Sequence, residues 1–183
     1  MKGSKTKPAS KKRPSRTGTD LSRYVRRAEA LGAKDAKIVP ASSVEIAAWV
    51  RLKCQFGCGG YGERLTCPPY SPTPDQTASA LACYTRCLLV HGDEWADMQE
   101  IVSELEREIF LDGYHKAFGM GSGPCSACAS CPEKGCRHPE RARPSMEACG
   151  IDVFATARAN GFPIEVLRST GCAGNYYGLV LID

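Results

Sequence analysis

Residues 123–146 read GPCSACASCPEKGCRHPERARPSM, and four cysteines, Cys125, Cys128, Cys131 and Cys136, fall within twelve of them. The spacing is C-x2-C-x2-C-x4-C. A C-x2-C-x2-C run curls the backbone so that three thiolates converge on one concave face. That arrangement suits three corners of a cubane iron–sulfur cluster, with a fourth cysteine nearby to close it. The bacterial ferredoxin run differs: its last gap is one residue shorter and its proline follows the fourth cysteine. Here Pro132 follows the third cysteine, Cys131. Structural zinc is the competing reading. Zinc sites usually present two ligand pairs a dozen or more residues apart, which four ligands in so short a loop fit poorly.

Working outward, the next cysteines upstream are Cys54, Cys58 and Cys67, spaced C-x3-C-x8-C in KCQFGCGGYGERLTCPPYSPTP. The opening pair is like that of radical-SAM enzymes, but the third cysteine comes too late and the chain is too short for their barrel. Three thiolates still hold a metal if a fourth ligand comes from elsewhere in the fold, from substrate or from water. Cys172, in the turn GCAGN, is the candidate for a fourth protein ligand. Cys83 and Cys87 are spaced i, i+4 and would share a helix face if the preceding helix reached them; core packing is expected of them, and also of Cys149. His138, two residues after Cys136, is placed to hydrogen-bond near the cluster. Arg137, Arg141 and Arg143 would offset the negative charge of a thiolate-ligated cluster or dock an acidic partner.

The rest of the chain alternates helix and strand. Helices are expected over Asp20 to Leu31, from Ser42 with Glu45 as a capping box, from Thr73 to about Tyr84, and along WADMQEIVSELEREIFLDGY, where Met98, Ile101, Val102, Leu105 and Ile109 form one apolar face. Strands are expected at DAKIVP, CLLVHG and YHKAFGMG, with FPIEVLRS and NYYGLVLID as a closing hairpin. RPSMEACGIDVFATARANG reads as one or two short helices ending at Gly161. These readings favour a single-domain α/β fold: a mixed sheet flanked by helices, with two cysteine-rich metal loops projecting from it.

The chain has 183 residues, 43% of them hydrophobic, enough for one core. Of its 24 Lys and Arg, ten lie in residues 1–27 against a single acid, Asp20; the remainder carries 14 bases and 19 acids, a net charge of −5. The basic character therefore belongs to a tail, residues 1–19, too poor in apolar groups to order itself, with residues 20–183 as the metal-binding domain. The tail reads as a solubilising segment, with charge attraction to nucleic acid as the alternative. No apolar run spans a bilayer and no secretory h-region is present, so a cytoplasmic protein is expected. Eleven cysteines in an odd, clustered set argue against disulfides and for metal.

The segments VRLKC, CPPYSPTP, GPCSACASC, CRHPERARPSMEACGIDV and the closing GLVLI resemble a bacterial and archaeal family of predicted metal-binding proteins of unknown function, from about Ile38 to the C-terminus. The resemblance implies cysteine-ligated metal, an iron–sulfur centre, in a cytoplasmic protein often associated with anaerobic metabolism. It carries over to Cys54, Cys58, Cys67, Cys125, Cys128, Cys131 and Cys136, and leaves out Cys83, Cys87, Cys149 and Cys172. The expected cofactor is one [4Fe–4S] cluster or two, with zinc as the alternative. The expected role is electron transfer to a redox partner protein. A small enzyme using the three-cysteine centre as an open site, and a zinc-stapled interaction domain, are the two alternatives.

Overall fold

The apolar run around Leu88 becomes the strand on which the fold is built. A computed structural model describes residues 20–132, 134–169 and 171–183; the tail expected over residues 1–19 lies outside them. Strand β2 (Arg86–Gly92) is flanked by β1 (Asp35–Pro40) and by β4 (Tyr176–Leu181), and β4 carries β3 (Phe118–Met120) on its other edge. Side chains alternate across the sheet as a strand's period of two requires. Leu88, Val90 and Val180 face one side; Cys87, Leu89, Leu179 and Leu181 face the other. Both sides are covered, so β2 and β4 are apolar almost throughout.

Helix α1 (Ser22–Ala30) and helix α4 (Met98–Leu111) cover the first face. All five apolar residues expected along α4 are buried, and Asp97 caps the helix by accepting from Glu100 N. The second face is covered by Met146, Ile151 and Phe162 and by helix α5 (Val153–Ala159). Helix α3 (Pro74–Leu81) starts at Thr73 with a capping box completed by Gln76.

The α/β class stands, but the expected mixed sheet is corrected: every pairing between these strands is antiparallel. The reason is an insertion. β2 and β3 are joined through α4 and run in the same direction, as in a β-α-β unit, but β4 enters between them and opposes both. That insertion also explains why FPIEVLRS is not a strand, since both edges of β4 are already taken. The segment instead crosses the second face with Ile164 buried and Val166 exposed.

A second correction concerns SSVEIAAWVRL. Residues Ala41–Ser43 form one 3-10 turn, and helix α2 does not begin until Val50, running to Gly57. Between them the chain is extended and pairs with residues 150–152 through Asp152 N→Glu45 O (2.8 Å) and Ala47 N→Gly150 O (2.9 Å). The Glu45 amide donates to Thr156 Oγ1 instead of closing a capping box. Tertiary hydrogen bonds here outweigh a local helix signal, a weak preference in a β-branched segment. Helix α3 likewise ends before the cysteines beyond it: Cys83 is exposed and Cys87 is a core residue of β2, so the two do not share a helix face.

Candidate metal centre

The cysteines gather outside the sheet, where three segments meet. Helix α2 supplies Cys54 from its last turns, so the first of the three upstream cysteines sits on a helix and not in a loop. The chain beyond α2 carries Cys58 and Cys67, followed by a cis bond between Pro68 and Pro69. Opposite them, the excursion bearing the other four cysteines leaves β3 and returns at Ser145. Its two ends are pinned by Gly121 N→Pro144 O (2.9 Å) and Met146 N→Gly121 O (3.1 Å).

Cys54, Cys58 and Cys67 line one cavity of about 220 Å³, with Tyr61, Pro124 and Glu147 among the other walls. Gly60 lies against these thiols. A β-carbon at that position would meet Cys67 Sγ at 3.3 Å, Pro124 Cβ at 3.3 Å and Cys58 Sγ at 3.6 Å. The space a side chain would need is already taken by the Cys67 sulfur and Pro124, and the Gly60 amide donates to Cys58 Sγ (3.4 Å). Cys54 Sγ approaches the Glu147 carbonyl at 3.8 Å.

The two cysteine loops are clipped together. Arg64 donates to the Cys128 carbonyl (2.8 Å), and the Leu65 amide donates to Cys131 Sγ (3.4 Å). Cys125 is buried while Cys128, Cys131 and Cys136 are half-buried. Cys136 Sγ accepts from the His138 amide (3.3 Å), so His138 acts through its backbone; its ring faces Glu140. Among the described residues, no three His, Cys, Asp or Glu side chains converge as ligands of a single ion.

The electrostatics match a crowded thiol site. Burial, foremost, pushes the Cys54 thiol up, with Cys58, Glu147 and Cys67 adding to it. Burial does the same for Cys67, with Cys58 and Cys125 adding. Cys125 is thus felt from within the three-cysteine site. Burial and neighbouring thiols thus disfavour the thiolate form of Cys54 and Cys67, and a bound cation would offset that. Thiolate donors, backbone N–H groups aimed at sulfur and a side-chain-free wall at Gly60 together fit a thiolate-ligated metal or cluster.

Residues 37–182 match the family described as predicted metal-binding protein (DUF2284). The chain belongs to this family. Comparison with curated proteins and with solved structures finds no match. The DUF2284 match covers α2, both cysteine loops and the sheet, so the metal-binding description applies to the region in which the thiols gather.

Several residues that the sequence put near the metal stand elsewhere. Cys172 is exposed, pairs with Ser169 (3.4 Å) and does not line the cysteine cavity. Arg143 is engaged by Glu106 through Nε–Oε2 at 2.5 Å and Nη2–Oε1 at 2.7 Å, anchoring the returning end of the loop to α4. Arg137 and Arg141 are exposed. Cys149 is packed in the core as expected.

Sequence reading missed Arg51, Arg64 and Glu147. Arg51 reaches from α2 to Ser71 Oγ, the Pro72 carbonyl and the Ala148 carbonyl, tying together three segments of the site. Glu147 has one carboxyl oxygen, Oε2, sealed from solvent without a hydrogen-bond partner. Burial pushes its carboxyl above the ordinary range. An arginine beside a cysteine helix and an acid inside the apolar stretch SMEACGI were the available signals.

Proposed function

We infer that this protein is a cytoplasmic iron–sulfur protein whose function is electron transfer to a redox partner. Cys54, Cys58 and Cys67 would form one centre and Cys125, Cys128, Cys131 and Cys136 the other. The clip formed by Arg64 and the Leu65 amide carries this reading. It ties the two cysteine loops to each other, so that the two proposed centres would lie side by side. A bound cluster supplies a reversible one-electron couple. The chain's part is to hold the thiolates, to offer N–H donors from Gly60, Leu65 and His138 to sulfur, and to limit water. The last two of these set the potential. Among the described residues no helix is long and apolar enough to cross a membrane.

The test is anaerobic purification of the full chain with iron, sulfide and zinc analysis and a visible spectrum before and after reduction. Expected are about four iron and four sulfide per centre and a charge-transfer band that bleaches reversibly. Stoichiometric zinc without iron or sulfide would overturn the reading and leave the zinc-stapled alternative. The enzyme alternative is favoured by one observation: among the described residues the cysteines lining the cavity are Cys54, Cys58 and Cys67, so a metal they held would take a further ligand from elsewhere, such as a small molecule. A spectrum that shifts on adding cyanide or azide supports it; an unresponsive spectrum removes it.

A further inference from the structure

The cavity lined by Cys54, Cys58 and Cys67 has Gly123 and Pro124 in its wall, and Cys125 is the next residue of the chain. Pro124 Cβ and Cys67 Sγ each lie 3.3 Å from the point where a β-carbon on Gly60 would stand, so the two are at most twice that distance apart. Cys58 Sγ lies 3.6 Å from the same point. The downstream loop therefore opens against the upstream thiols, and Cys125 is the first cysteine on it. The fold fixes that placement: Gly121, close before Cys125, is bonded to Pro144 and Met146 at the pinned base. Cys125 is 8% exposed, while Cys128, Cys131 and Cys136 are half-buried further along the excursion. The charge of Cys125 is also among the influences that push the Cys67 thiol up. These thiols are neighbours and not yet a closed ligand set, so a metal would draw them together.

Two other groups compete for the position beside the three upstream cysteines. Cys172 is exposed, bonded to Ser169 and absent from this wall. Glu147 borders both this cavity and a larger, mainly apolar one of about 720 Å³, but its Oε2 is sealed from solvent and offered to neither. A carboxylate is also a harder donor than the three thiolates it would join, whereas a fourth thiolate matches them.

The geometry points to Cys125 as the fourth protein ligand of the centre built on Cys54, Cys58 and Cys67. This assignment deepens the proposed function and rests on its premise that these thiols hold metal, though not on which metal. Spacing along the chain groups Cys125 with Cys128, Cys131 and Cys136; position in the fold groups it with the cavity. The cavity centre is then closed by four thiolates of the chain. The set that lacks a fourth thiolate is Cys128, Cys131 and Cys136, on the half-buried excursion. A small molecule or a partner's side chain that completes a coordination sphere would do so there and not in the cavity.

The test uses the full chain purified anaerobically, with iron and zinc counted and metal affinity measured by competition with a chromogenic chelator. One background carries Cys128→Ala, Cys131→Ala and Cys136→Ala and keeps the cavity set. It should retain metal, and adding Cys125→Ala should weaken that retention about tenfold or more, since even partners beyond the ligands are worth about 10–100-fold in affinity. The reciprocal background carries Cys54→Ala, Cys58→Ala and Cys67→Ala. There Cys125→Ala should leave metal content and affinity unchanged. The pair of backgrounds separates ligation from misfolding, because a fold defect would lower retention in both.

A silent Cys125→Ala in the first background overturns the assignment. So does a loss on Cys125→Ala in the reciprocal background, alone or together with the first. A first background that holds no metal while wild type does would equally overturn it. Wild type without any metal would remove the premise, and the assignment with it. Stoichiometric zinc in place of iron fails the electron-transfer reading and leaves this test standing.

Discussion

Gly60→Ala isolates the geometry of the three-cysteine site. Gly60 is buried and its φ is not positive, so alanine brings no backbone strain. Its methyl would lie 3.3 Å from Cys67 Sγ and 3.3 Å from Pro124 Cβ, inside comfortable contact, and 3.6 Å from Cys58 Sγ. Cys67 Sγ and the Pro124 ring must therefore each give by a few tenths of an ångström, while Cys58 Sγ is in ordinary contact. Overpacking of this kind costs about 1–3 kcal/mol, while the lower backbone entropy of unfolded alanine returns about 0.4–1 kcal/mol. Net fold stability should fall by between about 0 and about 2.6 kcal/mol. On the proposed centre the displaced Cys67 sulfur would be a metal ligand, so metal affinity would carry much of the effect: a loss of ~1–2 kcal/mol is about a five- to thirtyfold shift of the metal equilibrium towards a competing chelator. The control is Gly59→Ala, whose methyl would meet nothing within 4 Å and which also has no positive φ. The assay is metal transfer to a chromogenic chelator, run beside thermal unfolding of each variant. Equal transfer from Gly60→Ala and wild type would refute the claim that Gly60 is small because the metal-bearing thiols need its space.

Three further outcomes follow from other contacts. Arg64→Met removes the charged donor to the Cys128 carbonyl, a bond worth about 1.5–3 kcal/mol, and limited proteolysis should then cut the Cys128–Cys136 loop earlier than in wild type. Glu106→Gln breaks a pair whose side chains are only 14% and 13% exposed and weakens acceptance from Gly119 N, which should cost about 2 kcal/mol and lower Tm by ~6 °C in calorimetry. In the metal-free protein, alkylation at pH 8 followed by mass mapping should label exposed Cys172 first, its thiol lowered chiefly by the hydrogen bond with Ser169, and Cys87 and Cys149 last, since burial pushes both up to about 12. A reactive Cys87 in folded protein would contradict its place in β2.

What could be read from the sequence was whatever depends on local pattern. The five buried apolar residues of α4, the Thr73 start of α3 and the β1 and β2 strands all follow from period and capping, and the structure has them. What depends on pairing was not readable. Nothing local to NYYGLVLID says that it enters between β2 and β3, and that placement both made the sheet antiparallel and left FPIEVLRS without a neighbour. The same holds for residues 44–47, which follow residues 150–152 across the fold against their own helix signal. At the site, cysteine spacing marked which residues to watch. It could not show that Arg64 joins the two loops or that Glu147 borders two cavities, because each relation spans more than sixty residues of chain.

The pinned base of the four-cysteine excursion, where Gly121 meets Pro144 and Met146, bears on the order of assembly. The buried clusters on both faces of the sheet contain Cys87 and Cys149 but none of the seven cysteines at the centre. Neither buried cluster draws its packing from a thiol of the proposed centres. The scaffold is therefore expected to form first and to present a tethered, empty thiol loop for later filling, so that a shortage of metal would leave in the cell a folded protein awaiting its cofactor and not a misfolded one to be degraded. Far-ultraviolet circular dichroism of chelator-treated protein should then keep its strand signal, and its collapse on metal removal would show that the scaffold and the centre form together.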